Sequence, residues 1–179
     1  MTEDMFMALL RALFETFGVQ PTQGQILGYR MALDGLDVAD VEQGIGRAIR
    51  ELKFMPKPAE LRELAGVMPA PTRAILAWGA VKKAVHALSA YGSPDFDDPV
   101  INATTRNMGG WVRLCGRDAS EFDTWVRKDF ERIYVSMLTG GVLPGELMRP
   151  LAGIHEGETQ KVVTGLPVES QRQLRAVNS

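Results

Sequence analysis

Apolar positions recur along most of this chain at the three-and-four spacing of an amphipathic helix, and no stretch shows the strict alternation of a half-buried strand. The first such run is Met5, Phe6, Leu9, Leu10, Leu13, Phe14 and Phe17, one broad helical face. Thr2 is placed to cap it, Glu3 and Asp4 occupy the first turn, where the helix dipole favours acids, and Gly18 ends it. Pro21-Thr22 opens a second helix through Ile26, Leu27, Tyr29, Met31 and Leu33, stopped near Gly35. Asp37, with Asp40 three residues on, starts a third with the face Val38, Val41, Ile45, Ala48, Ile49 and Leu52. Phe54-Met55-Pro56 breaks it. Pro58 then suits the first residue of a short helix through Leu61 and Leu64.

After the proline joint Met68-Pro69-Ala70-Pro71 the pattern resumes. A long helix opens at Pro71 or Thr72 and carries Ile75, Trp78, Val81, Val85 and Leu88 until Tyr91-Gly92-Ser93-Pro94. Asp98 caps a helix from Pro99 to about Met108, and Gly109-Gly110 makes a tight turn. A short helix holds Trp111, Leu114 and Cys115. Asp118 or Ser120 caps a last long helix with the face Phe122, Trp125, Val126, Phe130, Ile133, Tyr134 and Met137, ending at Gly140. Trp78, Trp111 and Trp125 all fall on these faces and are expected in the core. From Gly140-Gly141 and Pro144-Gly145 onward helical periodicity is lost. The expected fold is all-α: a helical module over 1–68, a proline-rich hinge, a second helical module over 72–139, and an irregular tail over 140–179.

Composition narrows the function classes. Of 179 residues, 45% are hydrophobic and 23% charged, which suits one domain or two small ones. The formal net charge is −2, unlike a protein that coats nucleic acid. Residues 1–69 carry a balance of −3 and residues 70–139 one of +1. A lone cysteine excludes an internal disulfide, and with only His86 and His155 beside it a His/Cys metal site is all but excluded. No apolar run approaches the roughly 20 residues that cross a bilayer. Glu3 and Asp4 stand where a secretory leader needs positive charge, so the expected compartment is the cytoplasm.

Candidate chemistry was sought in each reactive residue. His86 lies mid-helix one step off the apolar face, and His155 lies in a Gly-flanked tail with nothing rigid to orient it. Cys115 sits among Trp111, Val112 and Leu114 and reads as a small buried hydrophobe. Asp95, Asp97 and Asp98 lack the later glycine and glutamate of a calcium loop. No GxxxxGK[ST] occurs. No catalytic residue, cofactor or metal site is therefore expected, and an enzyme is the least favoured class. Lys82, Lys83, Arg113 and Arg117, near aromatic residues, form a candidate nucleic-acid contact, but acids interleave with the bases of this module and an ordinary solvated face explains them better. In the tail Leu143, Leu147, Met148, Leu151 and Ile154 lie between Gly and Pro breaks. Such a segment either wraps back over the modules or docks on a partner and orders there; the second alternative makes these five the candidate partner-binding residues.

Residues Asp37-Val38-Ala39-Asp40-Val41-Glu42, the helix through Ile49-Arg50, and above all Phe54-Met55-Pro56-Lys57-Pro58-Ala59-Glu60-Leu61 resemble the N-terminal domain of phage replicative helicase loaders. The second module, through Ala77-Trp78, Phe96-Asp97-Asp98-Pro99, Gly109-Gly110-Trp111, Leu114-Cys115 and Phe130-Glu131-Arg132-Ile133-Tyr134, resembles an uncharacterised phage replication-associated family. Together the two cover about residues 3–138. The resemblance implies a non-catalytic phage or prophage protein, acting in the cytoplasm of a bacterial host. Its partner would be the hexameric replicative helicase of the DnaB type, with an origin initiator as a second candidate, and it would load the ring at the origin or hold it inactive. In the loader family the C-terminal part holds the helicase; here a whole second module intervenes. At most weak single-stranded DNA binding and no membrane contact are expected. The rival classes are a small DNA-binding module using the basic face of residues 73–132, and an all-α adaptor or inhibitor of host machinery.

Overall fold

The computed structural model describes residues 3–140, 145, 149–155 and 159–167. The chain divides into two compact units, Met1–Met68 and Pro69–Ser179. Unit 1 is helical: α1 (Glu3–Thr16), α2 (Gln23–Leu33), α3 (Val38–Glu51) and α4 (Pro58–Leu64). Each start has a local cause. Thr22 and Gln25 form a reciprocal capping box at α2, Asp37 takes the N-cap position of α3, and Pro58 opens α4. Phe6, Leu10, Leu13 and Phe14 meet Tyr29, Leu33, Val41, Ile45, Ala48 and Leu61 in one core. Phe14 and Tyr29 pack edge to face at 5.3 Å. A β-carbon on Gly44 would stand 2.9 Å from the backbone of Ala65, so α3 and the end of α4 touch through that glycine. The inward face of α2 is narrower than its periodicity suggests: Leu27 and Met31 are exposed.

Unit 2 is built from α5 (Ala70–Leu88), β1 (Ser93–Phe96), α6 (Pro99–Asn107), α7 (Trp111–Cys115), α8 (Ala119–Glu121), a π-helical turn (Phe122–Val126), α9 (Arg127–Gly140) and β2 (Thr159–Val162). α9 packs against both α5 and α6. The buried face of α5 is rotated from the expected one. Ile75 points to solvent, and Ala74, Ala77, Trp78, Val81 and Ala84 point inward. The alanines make room for large partners: the Trp78 ring lies 4.8 Å from Phe122 and 5.3 Å from Phe130. Trp111 is 1% exposed and donates its indole N–H to Ser89 O at 2.8 Å, which ties α7 to the end of α5.

The chain is mostly helical, as expected; what is corrected is the absence of strands and, over its described residues, the irregular tail. β1 and β2 pair in parallel, Ser93 opposite Thr159 and Phe96 opposite Val162. The chain between them, α6 to α9, is the long crossover that parallel pairing requires. Ser-Pro-Asp-Phe escapes a search for alternation because it is four residues long and contains a proline. The tail supplies its other partners: Leu151 N–H bonds Pro94 O at 2.8 Å, Gly153 N–H bonds Ser93 Oγ at 3.0 Å, and Ile154 N–H bonds Ala90 O at 2.9 Å. Asn102 brackets Phe96, accepting its N–H and donating to its carbonyl. Leu151 and Leu166 are buried. Of the two alternatives for the tail, the described part wraps back, so the second unit runs from 69 beyond 139 rather than over 72–139 alone.

Two measurements follow. Truncation after Gly140 removes Leu151, Leu166 and every partner of β1 in the tail, so it should lower the melting temperature of the chain by several degrees. Gly153→Ala should also destabilise, by about 1–3 kcal/mol, because a β-carbon there would clash with the backbone carbonyl of Gly92. Thermal unfolding of the two variants checks both.

Candidate functional site

Three features stand out in unit 2: a buried polar cluster, an exposed tryptophan and the basic residues singled out from the sequence. The cluster is Arg73 on α5, Asp98 at the N-cap of α6 and Tyr134 on α9. Arg73 donates from Nη2 to Asp98 Oδ2 at 2.9 Å, from Nε to Tyr134 Oη at 2.7 Å, and from Nη1 to Pro167 O at 3.0 Å. Tyr134 donates its own hydroxyl to Asp98 Oδ2, and Asp98 Oδ1 accepts the Val100 N–H at 3.0 Å. The Arg73 and Asp98 side chains are 3% and 2% exposed. Burial first, then the Asp98 charge, pushes the Tyr134 phenol far above its ordinary range. Such a cluster has the residue types of an acid–base site but no access for a substrate. Its charges compensate one another, and its geometry joins three helices and the end of the tail.

Trp125 corrects a second expectation. It is 69% exposed, not core. The cause is the π-helical turn Phe122–Val126, which adds a residue to one turn and shifts the register of the helix around it. Phe122 and Phe130 still reach Trp78, while Trp125 swings to solvent. Lys128 Nζ lies over its ring at 5.4 Å. Ion pairs stand close to it in sequence: Lys82 with Asp123, Arg127 with Glu131, Arg132 with Asp129. Periodicity at 3.6 residues cannot foresee a π turn, and no other signal in the sequence marks it.

Of the four candidate nucleic-acid contacts Lys83, Arg113 and Arg117 are exposed and Lys82 is half-buried, and they do not present four free cations on one stripe. Lys82 is held by Asp123. The Arg113 stem lies across Gly109, whose β-carbon would meet its Cδ at 2.6 Å. Lys83 and Arg117 face solvent. Of the five candidate partner-binding residues, Leu143, Leu147 and Met148 lie outside the described residues. Leu151 is 2% exposed and packs in its own unit, so its side chain is spent there; Ile154 is exposed. Arg106 anchors the approach to Leu151 by donating to the carbonyls of Arg149 and Pro150.

The remaining reactive residues have ordinary surroundings. His155 stacks on Tyr91 at 5.1 Å. Asp97 accepts both the N–H and the hydroxyl of Thr164. Cys115 is half-buried, and burial pushes its thiol up to about 11. Among the described residues no three His, Cys, Asp or Glu side chains are grouped to hold a metal ion, and no helix is long and apolar enough to cross a membrane.

Residues 95–175 match the model of a family described as a domain of unknown function (DUF6475). The match covers somewhat under half of the chain, starts within β1 and runs through the tail past Pro167. No curated protein and no solved structure matches.

Removing the Asp98 carboxylate should take from the buried Arg73 guanidinium its ion pair at 2.9 Å, so Asp98→Ala should cost about 3–5 kcal/mol of stability. Tyr134 gives a pH signature. Its folded pKa is raised, so the stability it contributes is present below the ordinary tyrosine pKa of about 10 and is lost as pH rises above it. Denaturant melts between pH 8 and 11 should show a fall that is smaller in Tyr134→Phe. Trp111→Ala should lose about 3–5 kcal/mol, whereas Trp125→Ala should stay within about 0.5 kcal/mol of the parent.

Proposed function

We propose that this is a non-catalytic phage or prophage replication protein that binds the hexameric replicative helicase and either loads the ring at an origin or holds it inactive. It would act in the cytoplasm of a bacterial host. The choice of partner is supported by the loader-like segments between Asp37 and Leu61. The observation that carries the reading as a binding protein is Trp125. A tryptophan kept out of the core by a distorted helix and flanked by a cation has the make-up of an interface hot spot. The contact is therefore assigned to the α8–α9 face of unit 2 and away from Leu151. Ring loading or inhibition would follow from binding one helicase conformation more tightly than another, which shifts that equilibrium without chemistry. A hinge at Met68–Thr72, between the two proline-flanked patterns, would let each unit engage separately.

The DNA-module reading has less support. Lys82 has an acidic partner, as do Arg127 and Arg132, so these three cations are already neutralised and offer little to phosphates. Any single-stranded DNA binding should be weak and should disappear as salt rises.

The test is co-migration of the purified chain with a purified ring helicase on size exclusion. Trp125→Ala should weaken the complex by about 30-fold or more, the effect of losing a hot-spot residue worth about 2 kcal/mol or more, at an unchanged melting temperature. Undiminished co-migration of that variant would remove the assigned contact. No co-migration of the parent would remove the proposed function.

A further inference from the structure

The small sheet of unit 2 has one closed edge and one open edge. Along a strand the main-chain N–H and C=O of one residue point to one side, and those of the next residue point to the other. On β1, Pro94 O accepts the Leu151 N–H, and Phe96 pairs through both its N–H and its carbonyl with the Asn102 amide. The side of β1 away from β2 is therefore filled. On β2, Val162 O accepts the Asp97 N–H at 3.2 Å, which turns Val162, and with it Gln160, towards β1. Thr159 and Lys161 then direct their N–H and C=O groups outward. Among the described residues nothing bonds these groups, and Val163 just beyond them is 82% exposed. The sheet can grow only here.

The side chains along this edge set what fits it. Lys161 is exposed and forms no ion pair among the described residues. Asp95, its neighbour in register, accepts instead from Asn102 Nδ2 at 3.3 Å. A lysine on an edge deters strands that bring no acid and favours one that does. Gln160, on the other face of the strand, borders an open cavity of about 370 Å³ that Ala87, Leu88, Tyr91 and His155 also line. An added strand thus meets a cation on one face and a largely apolar cavity beside the other. A second copy of β2 suits the edge poorly, because Thr-Gln-Lys-Val carries no acid to set against Lys161.

We propose that the outer edge of β2 is a docking site for an extended segment of another protein, alternating acidic and apolar residues, which adds to the sheet as a third strand. Main-chain hydrogen bonds to Thr159 and Lys161 supply the affinity. An acid opposite Lys161 and an apolar side chain at the cavity beside Gln160 supply the selectivity. The strand is short, so the contact is weak and acts alongside others. It shares no residue with the α8–α9 contact assigned above, and either can fail without the other.

The test is a titration of the isotope-labelled full chain, followed by amide NMR, with the end-blocked peptide Thr-Val-Glu-Val-Glu-Val-Thr. Peptide is added to about 5 mM, which reveals affinities as weak as about 1 mM. The expected result is saturable shifts over residues 159–163 and slower exchange of the Lys161 N–H. The same peptide with lysines in place of glutamates should bind at least about fivefold more weakly, since it sets like charge against Lys161. Lys161→Pro removes an outward N–H that the fold does not use, and an edge strand tolerates proline there; it should weaken binding about tenfold at an unchanged melting temperature. Lys161→Glu should reverse the preference between the two peptides, and Trp125→Ala should change nothing. Absence of shifts over residues 159–163 overturns the proposal. So does binding indifferent to Lys161→Pro, a preference that survives Lys161→Glu, or the same shifts on concentrating the chain without peptide, which would make a second copy the occupant.

Discussion

Unit 2 depends on one buried ion pair. Arg73 and Asp98 are each nearly devoid of solvent, and a buried charge is tolerated only when its partners are complete. Their completion fixes the geometry around them. The Asp98 carboxylate must also cap α6, Tyr134 must sit where it can accept from Arg73 and donate to Asp98, and Pro167 must return to accept from Nη1 of the guanidinium. Those requirements place α5, α6, α9 and the end of the described tail relative to one another more tightly than apolar packing alone would. The alanine-lined face of α5 follows from the same constraint, since α9 must approach closely enough for Tyr134 to reach Arg73.

The tail is in this sense part of the core. Segments rich in glycine and proline seldom build a core of their own, but they can complete one. Here Leu151, β2 and Leu166 close the side of unit 2 that β1 leaves open, and glycine at 153 lets the strap pass against Gly92. The family match, which begins within β1 and runs to residue 175, treats the crossover helices and the tail as one stretch. Partner contacts then have to be sought on what remains exposed, of which Trp125 is the residue most typical of an interface.

Helix positions were legible because their signals are local. Pro21-Thr22, Pro58, Asp98 before Pro99, and Gly18 each act within a turn or two, and the structure places them at the ends expected. The parts that were not legible depend on distant residues or on irregular geometry. β1 is a strand only because residues 66 positions later pair with it. Trp125 leaves the core because of a π turn that no 3.6-residue pattern encodes. Ile75 yields the inner face to alanines whose smallness matters only once α9 is present. The polar cluster was half visible: Asp98 was recognised as a cap, while nothing near Arg73 in sequence announced that its charge would be buried. Of the candidate site, the resemblance pointed to a class of partner, but the surface that would meet it emerged from the fold.

The central claim, that residues 149–155 and 159–167 belong to the folded core through the Arg73 cluster and β1, is tested most directly by amide hydrogen exchange on the full chain. The account predicts that the N–H groups of Leu151 and Ile154, which bond Pro94 O and Ala90 O, exchange as slowly as those of α6 and become faster together with them in Asp98→Ala. Exchange of these two amides at the rate of an unstructured peptide, while α6 stays protected, would contradict it.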